Sequence, residues 1–353
     1  MPASNASNDP LRLLCWEGYD AAEVTGRFEA GYGFRLQGET LLSDALAADR
    51  LLAESGQTCD IININNAYVR DCLEPAGLIE TLNSERFAHY KESIHPVYRR
   101  MLPWSYNAQG ELIGIGQRFG PFNLVINSDA ISEQSAQDAG FQLAEDPANH
   151  GQYAILDYPD FNLFHIAIAA GVNPFTNLGQ SELERFENTA DSWFRHAVIV
   201  SDDHHRLNQA LLYGDIRFYL SGGIYTASPA RLAGNSNIVA VTPRRGPIDG
   251  KGGIVFSEIT SVVRHPDANP SAAAFLQFML EPETAIQIAF IEGTCNPVAQ
   301  MGDRAVFDAF TREQLHAIQW DTLEEDLQHC ADYQIPPDKP ALMRILESAR
   351  QRY

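Results

Sequence analysis

Short apolar runs alternate with amphipathic stretches from the start of the chain, and this order most restricts the fold. The sequence predicts strands at 11–16, Phe34–Leu36 and Asp60–Ile64, separated by helices at Ala21–Tyr32 and Ser43–Ser55. Parallel strands need a crossover connection, and a helix between successive strands supplies one. The alternation therefore predicts an α/β fold with helices on both faces of the sheets.

The same alternation returns over about 123–248, and the chain is 353 residues long. One hydrophobic core seldom serves a chain of this length, so two lobes are expected. Within the second stretch, "AVIVSDDHHRLNQALLYGD" predicts a strand followed by a helix capped by Ser201. The tail from Phe307 to Arg352 is expected to be mostly helical, with a break at "IPPDKP".

Charge and composition exclude some classes of protein. Lys and Arg number 25 against 46 Asp and Glu, a net charge of −21 that repels nucleic acids and anionic membranes. No run of about 18 apolar residues is present to cross a membrane. Residues 1–10 lack the pattern of an intact signal peptide. This segment is expected to be disordered or an artificial start, which leaves a cytosolic protein and a secreted one with its signal removed both open.

Cysteine usage does not indicate a metal or redox centre. The chain has five cysteines and no CxxC pair. Buried free thiols are the expected state, while a bridge between Cys59 and Cys72 stays open. The segment "SDDHHRLNQ" is better explained as a capped helix start than as a metal site, because adjacent histidines point in different directions on a helix. No cofactor and no metal are expected.

The aromatic residues after the first strand pose the main question about function. Trp16 and Tyr19 follow the apolar run 11–16 at the carboxyl end of the predicted strand. Two interpretations are open: the rings fill a core, or they line a binding site. The carboxyl ends of strands in open parallel sheets are where such folds bind ligands.

The ordered motifs resemble the polyamine (spermidine/putrescine) branch of the bacterial solute-binding proteins of ABC importers. The shared features are, in chain order, the W-x-x-Y of Trp16 and Tyr19, "CDIININNAYV", "GQRFGPFNLVIN", "GGIVFSEITSVVRHPDANPSAAAFLQFMLEPETAIQIA" and "EGTCNPVAQ". The resemblance extends from residue 11 almost to the end of the chain. It rests on the order of the motifs, because none of them is diagnostic by itself.

The resemblance implies a type II periplasmic-binding-protein fold with a ligand cleft between two α/β lobes. Lobe 1 is expected at 11–122 and 250–300, lobe 2 at 123–249, and 301–353 as a C-terminal helical segment that packs on the lobes. It also implies a periplasmic monomer whose signal peptide, absent from this chain, was removed. The implied partners are a small organic amine and the ABC permease subunits of the inner membrane, with no nucleic acid.

The resemblance also assigns site residues. Glu258 stands where the family has its amine-binding acid, two residues after Phe256, and an acid within an apolar stretch is unusual in its own right. The expected ligand-binding residues are Trp16, Tyr19, Tyr68, Phe119, Asp157, Tyr225, Phe256 and Glu258. Structural roles stay open for several of them: an ion pair with an arginine for Glu258, a helix cap for Asp157, hinge packing for Phe119 and core packing for the first two.

Some features depart from the family pattern. The tryptophan that the family has in the second lobe is missing from "FYLSGGIY", where Tyr219 or Tyr225 stands in, and a second amine-binding acid has no clear match. Arg118, Arg244 and Arg245 lie near the predicted lobe crossings. One acid beside an arginine would suit a zwitterion, such as an amino-acid derivative or opine, better than a linear diamine.

Catalytic motifs are not found. The sequence has no GxSxG elbow, no Walker A loop and no GxGxxG after a strand. A binding protein is therefore expected rather than an enzyme. The alternative is an enzyme or a ligand-sensing domain on the same two-lobed scaffold.

Overall fold

The structure is a computed structural model that describes residues 9–41, 43–269 and 271–353. Residues 1–8 of the segment expected to be disordered lie outside the described residues. The strands are β1 Leu11–Cys15, β2 Leu36–Thr40, β3 Ile61–Asn65, β4 Ile115–Asn127, β5 Tyr153–Leu156, β6 Ile199–Ser201, β7 Phe218–Gly223, β8 Ile238–Val241, β9 Gly253–Val262 and β10 Cys330–Asp332.

Helices separate most of these strands. The α-helices are α1 Ala22–Tyr32, α2 Asp44–Ala53, α3 Asn66–Tyr68, α4 Ala88–Ser93, α5 Glu133–Ala139, α6 Pro159–Ala169, α7 Gln180–His196, α8 His204–Tyr213, α9 Ile224–Leu232, α10 Ala272–Phe278, α11 Pro282–Ala289, α12 Arg304–Phe307, α13 Arg312–Ala317, α14 Trp320–Gln328 and α15 Lys339–Arg352. A π-helical turn, Val69–Leu73, continues α3.

The chain divides into two compact units. Unit 1 contains the described residues up to Phe119, together with Ser257–Gly293 and Pro297–Phe310. Unit 2 contains Gly120–Phe256, Thr294–Asn296 and Thr311–Tyr353. The chain passes from one unit to the other within β4 and within β9. The lobe boundaries inferred from the sequence, at 122/123 and 249/250, stay predictions.

In unit 1, three parallel strands and one antiparallel strand form a sheet. β1 pairs in parallel with β2 and β3, and β3 pairs antiparallel with residues 258–262 of β9. All five residues of β3 are buried. β2 lies at Leu36–Thr40 rather than at the predicted Phe34–Leu36. The prediction missed it because its sequence, LQGET, is mostly solvent-exposed and lacks the apolar alternation that marks a half-buried strand.

In unit 2, β5 pairs in parallel with β6 and β7, while β4 pairs antiparallel with β7 and β8. Residues 253–255 of β9 pair in parallel with β10. Helix α6 is buried from Phe161 to Ala169, and α15 packs on α6 and α7. The sheet is therefore mixed, since strands that cross over by helices lie beside strands that return directly.

Helix α8 begins two residues later than predicted. Its N-cap is Asp203, whose carboxylate accepts from the backbone N–H groups of His205 and Arg206 at 2.9 and 3.2 Å. The predicted cap, Ser201, instead accepts from the backbone N–H of Asp203 at 3.1 Å. The prediction of Ser201 as the cap was therefore wrong, because Asp203 also satisfies the free donors of the first turn.

All five cysteines are described and all are free thiols, so Cys59 and Cys72 are not bridged. Burial raises the pKa of the Cys59 thiol to about 12. Across the described ranges, no helix combines the length and the apolar character of a membrane span. In the part of the chain that the structure describes, His, Cys, Asp and Glu side chains do not gather in groups of three or more suited to a metal ion.

Candidate functional site

Glu258 lies at the centre of a buried polar cluster in unit 1. It sits in β9 directly opposite Asn65 of β3. Its Oε2 atom accepts two hydrogen bonds, from the Tyr19 hydroxyl at 2.7 Å and from Arg118 Nε at 2.8 Å. The Glu258 side chain is 10% exposed and that of Arg118 is 8% exposed. The predicted acid is therefore half of an ion pair, which is the structural alternative that the sequence left open.

Tyr19 reaches Glu258 because the chain turns sharply after β1. The turn passes through Gly18, whose φ of +93° lies in the region that favours glycine. A Cβ atom there would approach the Ile291 side chain to 2.5 Å. Tyr19 is fully buried, and burial, together with the nearby Glu258 carboxylate, raises its pKa well above the ordinary value.

Arg118 completes the cluster. Its guanidinium carbon lies 4.7 Å from the centroid of the Tyr19 ring, and Nη2 donates to the Glu17 carbonyl at 3.0 Å. Burial opposes the charge on Arg118, but the Glu258 carboxylate outweighs it and the pKa of Arg118 is raised. The cluster thus joins a cation, an anion and an aromatic face, each held by the others.

Trp16 is held by a second buried acid. Its indole Nε1 donates to Asp44 Oδ1 at 3.0 Å, and the same carboxylate accepts from the backbone N–H and the side-chain amide of Asn65 at 3.2 and 2.8 Å. Asp44 is fully buried in the first turn of α2. Sequence reasoning missed Asp44, although an acid directly after Ser43 at a predicted helix start was a visible signal.

The other predicted residues of unit 1 are buried in packing contacts. Phe119 is 1% exposed and meets the ring of Tyr98 edge-on at 5.1 Å. The Tyr98 hydroxyl is hydrogen-bonded to Ser257 Oγ at 2.6 Å. Tyr68, in α3, is 4% exposed. Phe119 thus packs on Tyr98, and ligand roles for Phe119 and Tyr68 both stay predictions.

In unit 2, Phe256 belongs to an aromatic stack. It lies 4.7 Å from Phe122 with nearly parallel rings, and Phe122 lies 4.1 Å from Phe161. Tyr225, in the first turn of α9, has its ring 6.5 Å from that of His204. Burial lowers the pKa of His204 to about 4, so this imidazole is neutral at neutral pH.

Asp157 follows β5 and is paired within unit 2. Its carboxylate accepts from Arg350 near the end of α15, and Asp160 pairs with Lys339 at the start of the same helix at 2.5 Å. Asp157 does not cap α6, whose N-cap is Tyr158. Burial raises the pKa of Asp157 and Arg350 opposes that shift. Asp160, Lys339 and Arg350 were missed, because no local pattern links residues so far apart in the chain.

The structure thus brings Tyr19 and Glu258 together in unit 1 and adds Arg118 and the Glu17 carbonyl to them. In unit 2, Phe256, Asp157 and Tyr225 each contact different neighbours. Chemically, the Arg118–Glu258 cluster can hold charged groups of a ligand by hydrogen bonds and ionic contact.

Three solved structures share the fold over nearly the whole chain. The spermidine/putrescine ABC transporter substrate-binding protein PotD from Streptococcus pneumoniae has a TM-score of 0.66 at 16% identity, covering 97% of this chain and 99% of its own. A putative spermidine/putrescine ABC transporter from Listeria monocytogenes has a TM-score of 0.74 at 11% identity, covering 98% and 99%. MotA from A. tumefaciens B6, in complex with glucopine, has a TM-score of 0.66 at 12% identity, covering 97% and 100%.

These likenesses confirm the predicted two-lobed α/β fold. No curated protein matches the sequence. The model of the bacterial extracellular solute-binding proteins matches residues 23–304, most of the chain. That family consists of binding proteins, which confirms the prediction of a binding protein rather than an enzyme. The chain belongs to the bacterial extracellular solute-binding protein family.

Proposed function

We propose that this protein is the solute-binding component of an ABC importer, works in the periplasm and captures a small organic amine. The observation that carries the proposal is Glu258, a buried carboxylate flanked by Tyr19 and Arg118 in unit 1. Two of the structures that share the fold bear the name spermidine/putrescine, and a third is in complex with glucopine.

The chemistry of an ammonium group suits such a cluster. A carboxylate at about 4 Å attracts an ammonium by about 4 kcal/mol at an intermediate effective dielectric, before the cost of desolvation. An aromatic face adds about 0.5–2 kcal/mol. The residues that stay predicted as further ligand contacts are Trp16, Tyr68, Phe119, Asp157, Tyr225 and Phe256. Trp16 and Tyr225 are partly exposed.

Delivery of the ligand to a permease requires that ligand binding change the conformation of the protein. Proteins of this fold close around their ligands by hinge motion, and a ligand shifts that equilibrium only by its differential affinity for the closed state. We propose that this protein closes on its amine as a monomer, and that the closed form is recognised by permease subunits in the inner membrane.

A thermal-shift panel tests the proposal. Diamines, spermidine, betaines, amino acids and opines form the test set, with glucose and maltose as neutral controls. We expect at least one amine to raise the melting temperature with the concentration dependence of mass action, and the sugars to have no effect. Stabilisation by a sugar alone would contradict the amine class, and turnover of a bound amine, seen by mass spectrometry, would favour an enzyme.

A further inference from the structure

We infer that the captured amine is a zwitterion that carries a carboxylate beside its ammonium group, and not a polycation. The inference rests on the proposed function and narrows its ligand. It comes from the cations that the chain itself places beside Glu258 and beside two acids of unit 2, Asp157 and Asp160.

The charge of Glu258 is already neutralised by Arg118. Its Oε2 atom is shared by Arg118 Nε at 2.8 Å and the Tyr19 hydroxyl at 2.7 Å. A diamine that approached this carboxylate would bring a second cation next to Arg118. Like charges in a partly dry environment repel strongly, so a polycation gains little at this position.

Both members of the pair have hydrogen-bonding atoms that no described residue uses. Arg118 donates from Nε to Glu258 and from Nη2 to the Glu17 carbonyl, and within the described residues Nη1 donates to no partner. Likewise, Oε1 of Glu258 accepts no hydrogen bond from any described residue. The cluster therefore offers a donor for a carboxylate and an acceptor for an ammonium side by side.

Two acids of unit 2 are likewise paired with cations. Asp157 is paired with Arg350, and Asp160 is paired with Lys339 at 2.5 Å. The Asp157, Asp160 and Lys339 side chains are only 12%, 11% and 13% exposed, whereas Arg350 is exposed. An ammonium group that bound either acid would have to displace a cation of α15. A ligand with one ammonium and one carboxylate needs no such exchange.

Matched pairs of ligands test the inference directly. Ornithine and putrescine, lysine and cadaverine, and arginine and agmatine differ only by the α-carboxylate. Calorimetric titration of the unmodified protein is expected to give at least one pair in which the amino acid binds about tenfold tighter than its amine. Equal or tighter binding of the amine in every pair that binds would overturn the inference and leave the proposed function standing. No binding by any of these pairs or by any amine of the thermal-shift panel would contradict both.

Variants of Arg118 give an independent test. Arg118→Gln is expected to weaken binding of the amino acid by about tenfold. It should strengthen binding of the matching amine, because Glu258 then lacks its cation. Arg118→Lys keeps the charge without the planar fork and should restore part of the affinity. Arg99→Gln, which removes an exposed arginine of unit 1, is the control and should change neither. If Arg118→Gln loses affinity for the amino acid and for the amine to the same extent, the inference is overturned. If that variant does not fold, the same comparison is made with Arg118→Lys.

Discussion

The Tyr19 hydroxyl donates a 2.7 Å hydrogen bond to the Glu258 carboxylate although 239 positions separate the two residues in the chain. The contact exists because β1 and β9 both pair with β3, one on each side. The residues that follow β1 and the middle of β9 are thereby brought to the same part of unit 1. The candidate site is a product of strand order rather than of any local motif.

Replacing Tyr19 by Phe is expected to lower the free energy of unfolding by about 1–2 kcal/mol, because a hydrogen bond to a charged group is lost while Arg118 still holds Glu258. Urea denaturation measures the change. Tyr213→Phe removes the hydroxyl of a tyrosine that is 80% exposed and should leave stability unchanged. A loss in Tyr19→Phe no larger than in Tyr213→Phe would show that the buried hydrogen bond contributes nothing.

Asp44→Ala is expected to lower the free energy of unfolding by about 3–5 kcal/mol, because Trp16 and Asn65 both lose a buried charged acceptor. Trp16 fluorescence should shift as its indole N–H loses this partner. Asp49→Ala, in the exposed part of the same helix, is the control and should stay within about 0.5 kcal/mol of the parent. A small loss in Asp44→Ala with unchanged fluorescence would rule out the role given to Asp44.

Much of the fold follows from local pattern. The buried strand β3 and the helix α1 were predicted at nearly their final positions, since apolar spacing marks both. Strand β2 was misplaced because four of its five residues are exposed. Its position is fixed by pairing with β1, from Leu11 opposite Leu36 onwards, and such pairing leaves no hydrophobic signal in the sequence.

The site was predictable only in part. Glu258 stands out as an acid in an apolar strand, and Arg118 was noticed near a predicted crossing. Their ion pair depends on tertiary structure and has no signature in sequence spacing. The pairing of Asp157 with Arg350 spans 193 positions and is hidden for the same reason. Residue types thus indicated the chemistry, while the partners of each group needed the fold.

Stability should fall in acid because of His165. This imidazole is fully buried, stacks on Phe141 with ring centroids 3.9 Å apart and lies 3.2 Å from Ser221 Oγ, and burial lowers its pKa to about 3. The unfolded chain takes up this proton near pH 6.5 and the folded chain does not, so the unfolded state binds more protons below that pH. The contribution of His165 to the free energy of unfolding is complete above about pH 6.5 and is lost as the pH falls towards about 3.

Comparison with His165→Phe isolates this effect. From about pH 7 to about pH 5, the free energy of unfolding of the parent is expected to fall by about 2 kcal/mol more than that of the variant. Acids whose pKa burial raises, such as Asp326 to about 7, act with the opposite sign but are common to both proteins. His89→Gln, at an exposed histidine, is the control. Identical pH profiles for His165→Phe and the parent would contradict the prediction.

Thiol titration tests the cysteine assignments. In denaturant, all five thiols should react with a disulfide reagent, since none is bridged. In the folded protein, Cys72 should react first, because it is the one cysteine of the five that is not fully buried. Only three reactive thiols in denaturant would reveal a disulfide, and Cys59→Ser and Cys72→Ser would then identify its members.

The role of Asp157 can be separated from ligand binding. If Arg350 is its partner in the ligand-bound protein as well, Asp157→Asn should cost stability but change the ligand dissociation constant by less than about twofold. Arg350→Gln should give a similar loss of stability, and the double variant less than the sum of the two. A loss of affinity of about tenfold in Asp157→Asn would instead support the predicted role of this acid as a ligand contact.

The proposed function requires above all that Glu258 receive the ammonium group. Calorimetric titration of Glu258→Gln with the amine that most stabilises the parent measures this directly, with circular dichroism to verify folding. We expect the dissociation constant to rise by at least about tenfold. An unchanged dissociation constant in a folded Glu258→Gln protein would contradict it.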